Sequence, residues 1–576
     1  MRMQKYATAL MAVGLIALAT PASAGFEDIQ FGLDSLSGDY LAGRFAGKLR
    51  DMDVAAQYFN SALVDDPDNP VLIERAFVLD LSAGNIANAE EFAVRVLGFN
   101  SQHRMSRLTL GLRDARVSNF KEAREHFKKA AYTPVGELSA ALLSAWTYAA
   151  EKQLPEALKS LDKLDSNDSF GNFKSFHGAL IADLLDQPLR AEPFYKQSYE
   201  QAGNSLRVVQ AYGNFLERQG RPEEAGKIYR QFLSTSERNP IILSALNGLS
   251  AGQSPKRFMS SVNQGMAEAL YSMASALADD QGMEVALIYA QLALSMNGDF
   301  DVAKTLLGDI YEDMGQFEKA ISAYDSVPSG SDLRTNAQIE IAISRQRLEN
   351  PAEAKSQLKT VLEKDPRNYD AWITLGNIHR NNEEFKEAAD AYTSAIDLVP
   401  VLSRDNWSAL YYRGISFERT KVWDKAEADF RKALALEPDQ PMVLNYLGYS
   451  LIEKKLNLKE AIDMVRKAVD LKPNDGYIVD SLGWAHYQIG EYDEAVKQLE
   501  RAVELKPADP TIAGHLGDAY WRVGRRLEAR FQWQHAKDNK PEPDQLADIE
   551  KKLLDGLPDE PPAAPAESKT GTGNNG

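Results

Sequence analysis

The 576-residue chain contains no cysteine. It has no disulfide, thiolate nucleophile or thiolate metal ligand, so its stability has to come from packing, even in a compartment that permits disulfides. A lipoprotein signal also needs a cysteine directly after its cleavage point, so no lipid anchor is expected. Positive charge is in short supply as well: 65 Lys and Arg stand against 83 Asp and Glu, a formal net charge of -18. Binding to a polyphosphate or an anionic lipid surface draws on clustered cations, which this acidity opposes, and nucleic acid is not expected as a partner. The 7 histidines are scattered. None stands in a His-Glu-x-x-His arrangement or three to four residues from another, as ligands on one helical face would, so no metal site is expected.

Long apolar runs are equally scarce. The main one, Tyr6 to Thr20, follows Arg2 and Lys5 and ends in Pro21 and Ala22-Ser23-Ala24. It is shorter than the ~20 residues a spanning helix needs, and a positive start, an apolar stretch and small residues in that order describe a secretory signal. Cleavage after Ala24 is expected, giving an exported, periplasmic chain that begins at Gly25 and carries about -20 once Arg2 and Lys5 are removed.

Catalytic signatures are missing too. Gly571, Gly573 and Gly576 have the spacing of a dinucleotide fingerprint but lack the strand and helix that make it work. There is no Walker-type glycine loop with its lysine and no nucleophile elbow. Glu223-Glu224 and Glu383-Glu384 fall between helices, where paired carboxylates are solvated helix starts. No catalytic residue, cofactor or metal is expected, and the chain reads as a non-enzyme.

What is present is a repeat of 34 residues. From Gly476 it shows Leu482-Gly483, Gly490, Tyr492, Ala495, Leu499, Ala502 and Pro507; from Pro510 it shows Leu516-Gly517, Tyr520, Gly524, Ala529, Trp533, Ala536 and Pro541. A small residue in a first helix recurs as Gly43, Gly111, Ala145, Gly178, Gly213, Ala274, Gly308, Ala342, Gly376, Gly414, Gly448, Gly483 and Gly517. An alanine in a second helix follows in phase, from Ala55, Ala89, Ala123 and Ala157 through Ala225, Ala286, Ala320, Ala354, Ala388, Ala426 and Ala461 to Ala495 and Ala529. Two antiparallel helices approach closely only where neither side chain is large, which explains both ladders. Pro366, Pro400, Pro438, Pro473 and Pro507 then stop the second helices. Helices of three turns are marginal alone, so each pair has to stack on its neighbours.

The pattern resembles the tetratricopeptide repeat family, and the resemblance implies an all-α solenoid, a right-handed superhelix of helix-turn-helix units with a concave face. The expected organisation is a signal peptide over 1–24, an N-terminal block of about six units over 36–239, a break or linker over 240–266 around Ser250-Ala-Gly-Gln-Ser-Pro255, a C-terminal block of about eight units over 267–543, a capping helix over 544–557 and a disordered tail over 558–576. Phe77 stands where a small residue is expected, and Arg190 displaces an alanine to Ala191.

In that family the groove is lined by positions 2, 5, 9, 12 and 13 of the first helices. Carried onto the C-terminal block, they give a candidate protein-binding set: Asn377, Arg380, Tyr411, Asn445, Tyr449, Tyr477, Asp480, Trp484, Tyr487, Asp518, Trp521 and Arg522. Arg419 lies on the same face. Aromatic rings give contact area at low entropic cost, and Asn and Arg pair with backbone amides or carboxylates, which suits an extended peptide or a partner helix. Packing against the adjacent repeat is the competing role for Trp484 and Tyr487. The family's carboxylate clamp is incomplete here, because Asn377 follows Ile373 rather than lysine.

The last repeats, Asp480 to Trp484 and Gly514 to Arg526, are similar to a bacterial envelope branch of the family that includes a lipoprotein adaptor of a carboxy-terminal processing protease. The resemblance implies a scaffold or adaptor that binds envelope proteins and delivers substrates to a protease. The alternative is a scaffold component of an outer-membrane export or polysaccharide-assembly machine.

Overall fold

The computed structural model describes residues 35–166, 168–279 and 282–558. The expected signal sequence, the glycine triplet and all but the first residue of the expected tail lie outside the described residues. Among those described there are 30 α-helices and no strands. Two compact units divide the chain between Ile310 and Tyr311.

Unit 1 opens with α1 (Leu36–Lys48), α2 (Met52–Asp65), α3 (Pro70–Ala83), α4 (Ile86–Phe99), α5 (Arg104–Arg116) and α6 (Phe120–Ala130). It continues with α7 (Pro134–Ala150), α8 (Leu154–Leu161), α9 (Gly171–Leu184), α10 (Pro188–Ala202), α11 (Leu206–Arg218) and α12 (Pro222–Leu233). Its last helices are α13 (Pro240–Ser250), α14 (Val262–Leu277) and α15 (Met283–Met296), and α16 (Asp301–Asp313) runs across the boundary.

Unit 2 holds α17 (Phe317–Asp325), α18 (Arg334–Arg347), α19 (Pro351–Lys364), α20 (Tyr369–Asn381), α21 (Phe385–Asp397), α22 (Trp407–Arg419) and α23 (Trp423–Leu436). It ends with α24 (Pro441–Glu453), α25 (Leu458–Leu471), α26 (Gly476–Gln488), α27 (Tyr492–Leu505), α28 (Pro510–Arg522), α29 (Arg526–Asp538) and α30 (Pro543–Asp555).

The helices start and stop where local chemistry directs. Asn69 and Asp509 accept backbone N–H bonds ahead of Pro70 and Pro510, pairing a side-chain cap with a proline at the first helical position. The turn after α26 passes through Gly490 at φ 83°, a left-handed conformation that glycine adopts without a Cβ penalty.

Within a pair, the ladders do what close approach requires. A Cβ added at Gly43, Gly111, Gly213, Gly376, Gly414, Gly483 or Gly517 would meet Phe59, Phe127, Tyr229, Tyr392, Phe430, Leu499 or Trp533 at 2.2–2.7 Å. In every case the partner lies sixteen residues on, at one fixed point of the second helix. The thirteen ladder alanines, from Ala55 to Ala529, are completely buried. Large side chains fill the space beside each crossing, each worth roughly 1.5–3 kcal/mol of burial. In unit 2 every second helix also packs on the next first helix, as α21 does on α22 and α27 on α28, while α26 touches the neighbouring first helices α24 and α28 directly. The cap over the end is α30, lying on α29.

Unit 1 departs from this stacking after α12. The sequence suggests a break over 240–266, but Pro240–Ser250 is helix α13, capped by Asn239 and packed on α11 and α12. Only the residues between Ser250 and Ser261 cross as non-helical chain, with Gly252 at φ 68°. The next pair, α14 and α15, keeps the ladder spacing through Ala274 and Ala286 yet belongs to unit 1. It lies against α7 and α9 on one side and α3 and α5 on the other. Periodicity along a chain shows that a pair exists, not which pair it packs against, so the crossing reads in sequence as a block boundary.

Candidate protein-docking face

The first helices of unit 1 present to the α14–α15 hairpin the same repeat positions that the sequence marks as groove-lining. Leu108 and Leu112 of α5, Leu142 and Trp146 of α7, and Ala179 and Ala182 of α9 are at most 1% exposed. Gly265 of α14 sits so close to Trp146 that a Cβ there would lie 2.3 Å from its ring. Ser139 Oγ and Tyr289 Oη are 2.9 Å apart, and Arg104 Nη1 donates to Tyr289 Oη at 3.1 Å. Arg207 of α11 forms a two-pronged ion pair with Glu268, Nε to Oε1 at 2.9 Å and Nη2 to Oε2. Glu268 is completely buried. The crossing chain is tied down by Asn214, which donates to the Lys256 carbonyl at 2.7 Å and accepts from Phe258 N–H at 3.1 Å. This face is already occupied by the protein itself.

In unit 2 the twelve candidate residues fall into two groups. Those on α26 and α28 serve one another. Asp480 accepts from His515 Nδ1 at 2.9 Å, and the His515 ring stacks on Trp484 at 4.0 Å between centroids. Tyr487 stacks on Trp484 as well, at 4.7 Å, and Trp484 Nε1 donates to Glu453 at 2.6 Å. Arg522 donates to Tyr487 Oη at 3.3 Å and to the Pro558 carbonyl at 2.9 Å. Asp518 accepts from Trp533 Nε1 at 2.9 Å and from Lys552 of α30 at 2.8 Å. Trp521 packs 5.3 Å from Trp533, and Gly556 lies against its ring. Tyr477 is separate, exposed at the start of α26 with Lys506 Nζ 5.2 Å from its ring centroid.

Burial opposes protonation of His515, but Asp480 outweighs it and Asp518 adds to the effect against Lys552, so the imidazole pKa ends above its ordinary value. A charged imidazolium stacked on an indole is a cation–π contact. Asp480 and Asp518, both buried, thus act in internal pairing.

The group on α20, α22 and α24 is less self-contained. Asn377 accepts from Tyr392 Oη at 2.8 Å, and Arg380 lies 4.5 Å over the Tyr412 ring. Burial pushes the Tyr392 hydroxyl up to about 12 against the opposing charge of Arg380. Tyr411 is buried among Trp407, Tyr412 and Tyr446. Tyr449 is half-buried, its hydroxyl raised by burial and then by Glu453 and Asp480. Two polar atoms here, Arg380 Nε and Asn445 Oδ1, are buried with no hydrogen-bond partner in the chain. An unmet buried donor or acceptor costs about 1–3 kcal/mol, which a bound segment supplying the partner would recover.

Sequence reasoning missed His515, Glu453, Tyr412 and Lys552, which position the candidates. The signal was available for two of them: Tyr412 and His515 each stand two residues before the crossing glycine, on the side that meets the preceding first helix. Nothing local marks Glu453 or Lys552. Among the described residues, no group of three or more His, Asp or Glu could hold a metal.

Comparison with known proteins agrees with this architecture. The tetratricopeptide repeat profile matches residues 339–403 and 413–476, a second profile of that description matches 303–327, and a TPR repeat profile matches 483–524. A TPR repeat-containing protein of Pseudomonas aeruginosa is 27% identical over 193 residues, covering 33% of this chain and 32% of the relative. A lipoprotein NlpI homolog of Haemophilus influenzae is 28% identical over 122 residues, covering 21% and 38%. The chain thus spans about a third of the length of the curated relatives it matches. The solved Cut9–Hcn1 assembly aligns over 90% of this chain and 96% of its own at 15% identity, with a TM-score of 0.38, too loose a likeness to carry an argument. Tetratricopeptide repeat profiles thus match this chain at intervals from residue 303 to residue 524.

Proposed function

We propose that the protein is a non-enzymatic scaffold or adaptor of the cell envelope, exported with its signal removed after Ala24, that holds partner proteins on the first-helix face of unit 2. The observation that carries this reading is the contrast between the two faces. In unit 1 the groove positions are apolar and covered by α14 and α15. In unit 2 the first helices α20, α22 and α24 leave their candidate face half-open, and two buried polar atoms on them, Arg380 Nε and Asn445 Oδ1, have no partner in the chain. The envelope assignment draws on the signal-like N-terminus and on the lipoprotein NlpI homolog; delivery of substrates to a processing protease is the role we favour. Attachment through lipid does not carry over, because this chain has no cysteine.

The test has two parts. Fractionation with N-terminal sequencing should recover a periplasmic chain starting at Gly25. Capture from envelope extract by the wild-type chain should enrich a protease with its substrates, and the Arg380→Ala/Asn445→Ala variant should lose them with its melting profile intact. Retention in the cytoplasm, or equal capture by the variant, would sink the proposal.

A further inference from the structure

On the side of α7 turned away from Ser139 and Trp146, which meet the hairpin, a cleft of about 790 Å³ opens between α6 and α8. Along α7 it runs from Glu137 past Ala140, Ala141 and Ser144 to Tyr148. Eleven residues of helix make that length about 16 Å. The cleft exists because α7 lacks large side chains there. Ser144 precedes the crossing residue Ala145, where α5, α20, α24, α26 and α28 bury Leu110, Leu375, Leu447, Leu482 and Leu516. Ala141 stands where α11, α22, α24 and α26 bury Val209, Leu410, Leu444 and Val479. Each absent side chain would add roughly 1.5–3 kcal/mol of burial. The far wall is short as well. Helix α8 ends at Leu161 and continues as a 3-10 turn over Asp162–Ser166, with Ser160 Oγ donating to the Ala141 carbonyl at 3.1 Å.

Charge then selects the occupant. On a chain of net charge -18, this lining carries four cations, Lys121, Arg124, Lys128 and Lys163, against two acids, Glu125 and Glu137. Lys121, Arg124 and Lys128 recur at helical spacing and edge the cleft from one face of α6. Arg124 pairs with Glu151 and lies 4.3 Å from the Tyr148 ring centroid, which fixes it in place. Lys121 and Lys128 are exposed and enter no ion pair among the described residues. They stand about 10 Å apart along α6. In a polyproline-type peptide, residues three apart share one edge at a spacing of about 9 Å, and about five such residues span the cleft. A bilayer or a nucleic-acid backbone would lay its charge across the rim, against Glu125 and Glu137, without reaching the recessed floor.

We propose that this cleft is a second docking site, distinct from the face of unit 2, that takes an extended acidic peptide of a partner protein. Carboxylates three residues apart meet Lys121 and Lys128, and the apolar side chain between them enters the floor at Ala141 and Ser144.

The test uses the purified full chain and three five-residue peptides with one fluorescent label, followed by anisotropy: Glu-Pro-Leu-Glu-Pro and its counterparts with Gln or Lys in place of both Glu. The acidic peptide should bind, the Gln peptide about tenfold more weakly and the Lys peptide not at all, with affinity falling as salt is added. Ser144→Leu returns to the floor the residue that other repeats bury there, and Lys121→Glu/Lys128→Glu alters exposed side chains only. Each should weaken the acidic peptide about tenfold, and the charge-reversed chain should prefer the Lys peptide. Arg380→Ala/Asn445→Ala should change none of these values, so the outcome is separate from that of docking on unit 2. Absence of binding, equal binding of the three peptides, or binding that survives both cleft variants overturns the proposal. So does displacement of the peptide by vesicles of phosphatidylglycerol and phosphatidylcholine in equal parts, which would make the cleft a lipid site.

Discussion

Trp146 and Trp484 hold the same repeat position, one residue after the crossing residue of a first helix, and have opposite surroundings. Trp146 follows Ala145 and is fully buried beneath Gly265 of the α14–α15 hairpin. Trp484 follows Gly483 and lies half-buried between the rings of His515 and Tyr487. One repeat position therefore serves as an internal anchor in unit 1 and as part of a surface stack in unit 2.

Gly265→Ala should destabilise unit 1 by about 1–3 kcal/mol, because the new methyl meets a ring that is packed on every side. Trp146→Ala should cost about 3–5 kcal/mol. Denaturant titration followed by tryptophan fluorescence measures both. A Gly265→Ala chain as stable as wild type would show that the hairpin is loosely held.

The Arg207–Glu268 pair makes a different prediction. Glu268→Ala leaves a guanidinium in a buried site without its carboxylate, and breaking such a pair costs about 3–5 kcal/mol. Replacing both, as Arg207→Met/Glu268→Leu, should be far milder than the single change, since no uncompensated charge remains. Comparing the two chains by chemical denaturation checks this, and equal losses would argue against a paired, desolvated contact.

Much of the fold was legible in the sequence. The Gly and Ala ladders give the pairing of helices, since a crossing that admits no Cβ leaves its mark at fixed spacing, and the capping helix follows from Leu546, Ile549, Leu553 and Leu554 at helical intervals. The α14–α15 hairpin was not legible as an occupant of unit 1. Its own ladder is regular, and only the apolar character of Leu108, Leu112, Leu142 and Ala179 at groove positions hints that this face is filled. The candidate site was legible by face but not by role. Asp480, Trp484, Tyr487 and Asp518 lie where the phase puts them, yet their partners come from other repeats and from α30, which no local pattern encodes.

The fully buried His177 and the half-buried His515 should give the units opposite pH dependence. Burial lowers the His177 pKa to about 3, and its Nδ1 accepts from Trp146 Nε1 at 3.2 Å. The unfolded chain binds this proton more readily, so stability is full above the ordinary pKa of 6.5 and falls as pH drops toward 3, by roughly 5 kcal/mol in total. His515 is the reverse case. Its raised folded pKa gives stability that is complete below 6.5 and lost as pH rises through that folded value. Melting curves between pH 4 and 9 should show the acid loss blunted by His177→Phe and the alkaline loss blunted by His515→Gln. An unchanged profile in either variant would remove that histidine from the account.

Within unit 2, packing and docking should separate by mutation. Trp484→Ala and Trp521→Ala remove stacked or packed rings and should lower the melting temperature, each by the equivalent of about 2–4 kcal/mol. Asn445→Ala removes a buried polar atom without a partner and should leave stability within about 1 kcal/mol or raise it slightly, Arg380→Ala also gives up the contact with the Tyr412 ring and should cost about 1 kcal/mol, and both should weaken partner capture. Calorimetry beside capture assays distinguishes the sets, and reversed outcomes would move the docking surface to α26 and α28.

The division of labour between the two faces can be tested by locking the hairpin in place. Ser139 of α7 and Met273 of α14 are in side-chain contact, and Ser139→Cys/Met273→Cys, in a chain with no other thiol, is oxidised and its disulfide verified by mass spectrometry. A photo-crosslinking residue at Tyr449 then reports what unit 2 holds in envelope extract. The account predicts the same crosslinked partner at the same yield in the oxidised, locked chain and in the reduced one. Loss of that partner on locking would mean that the hairpin has to leave for docking to occur, and would contradict it.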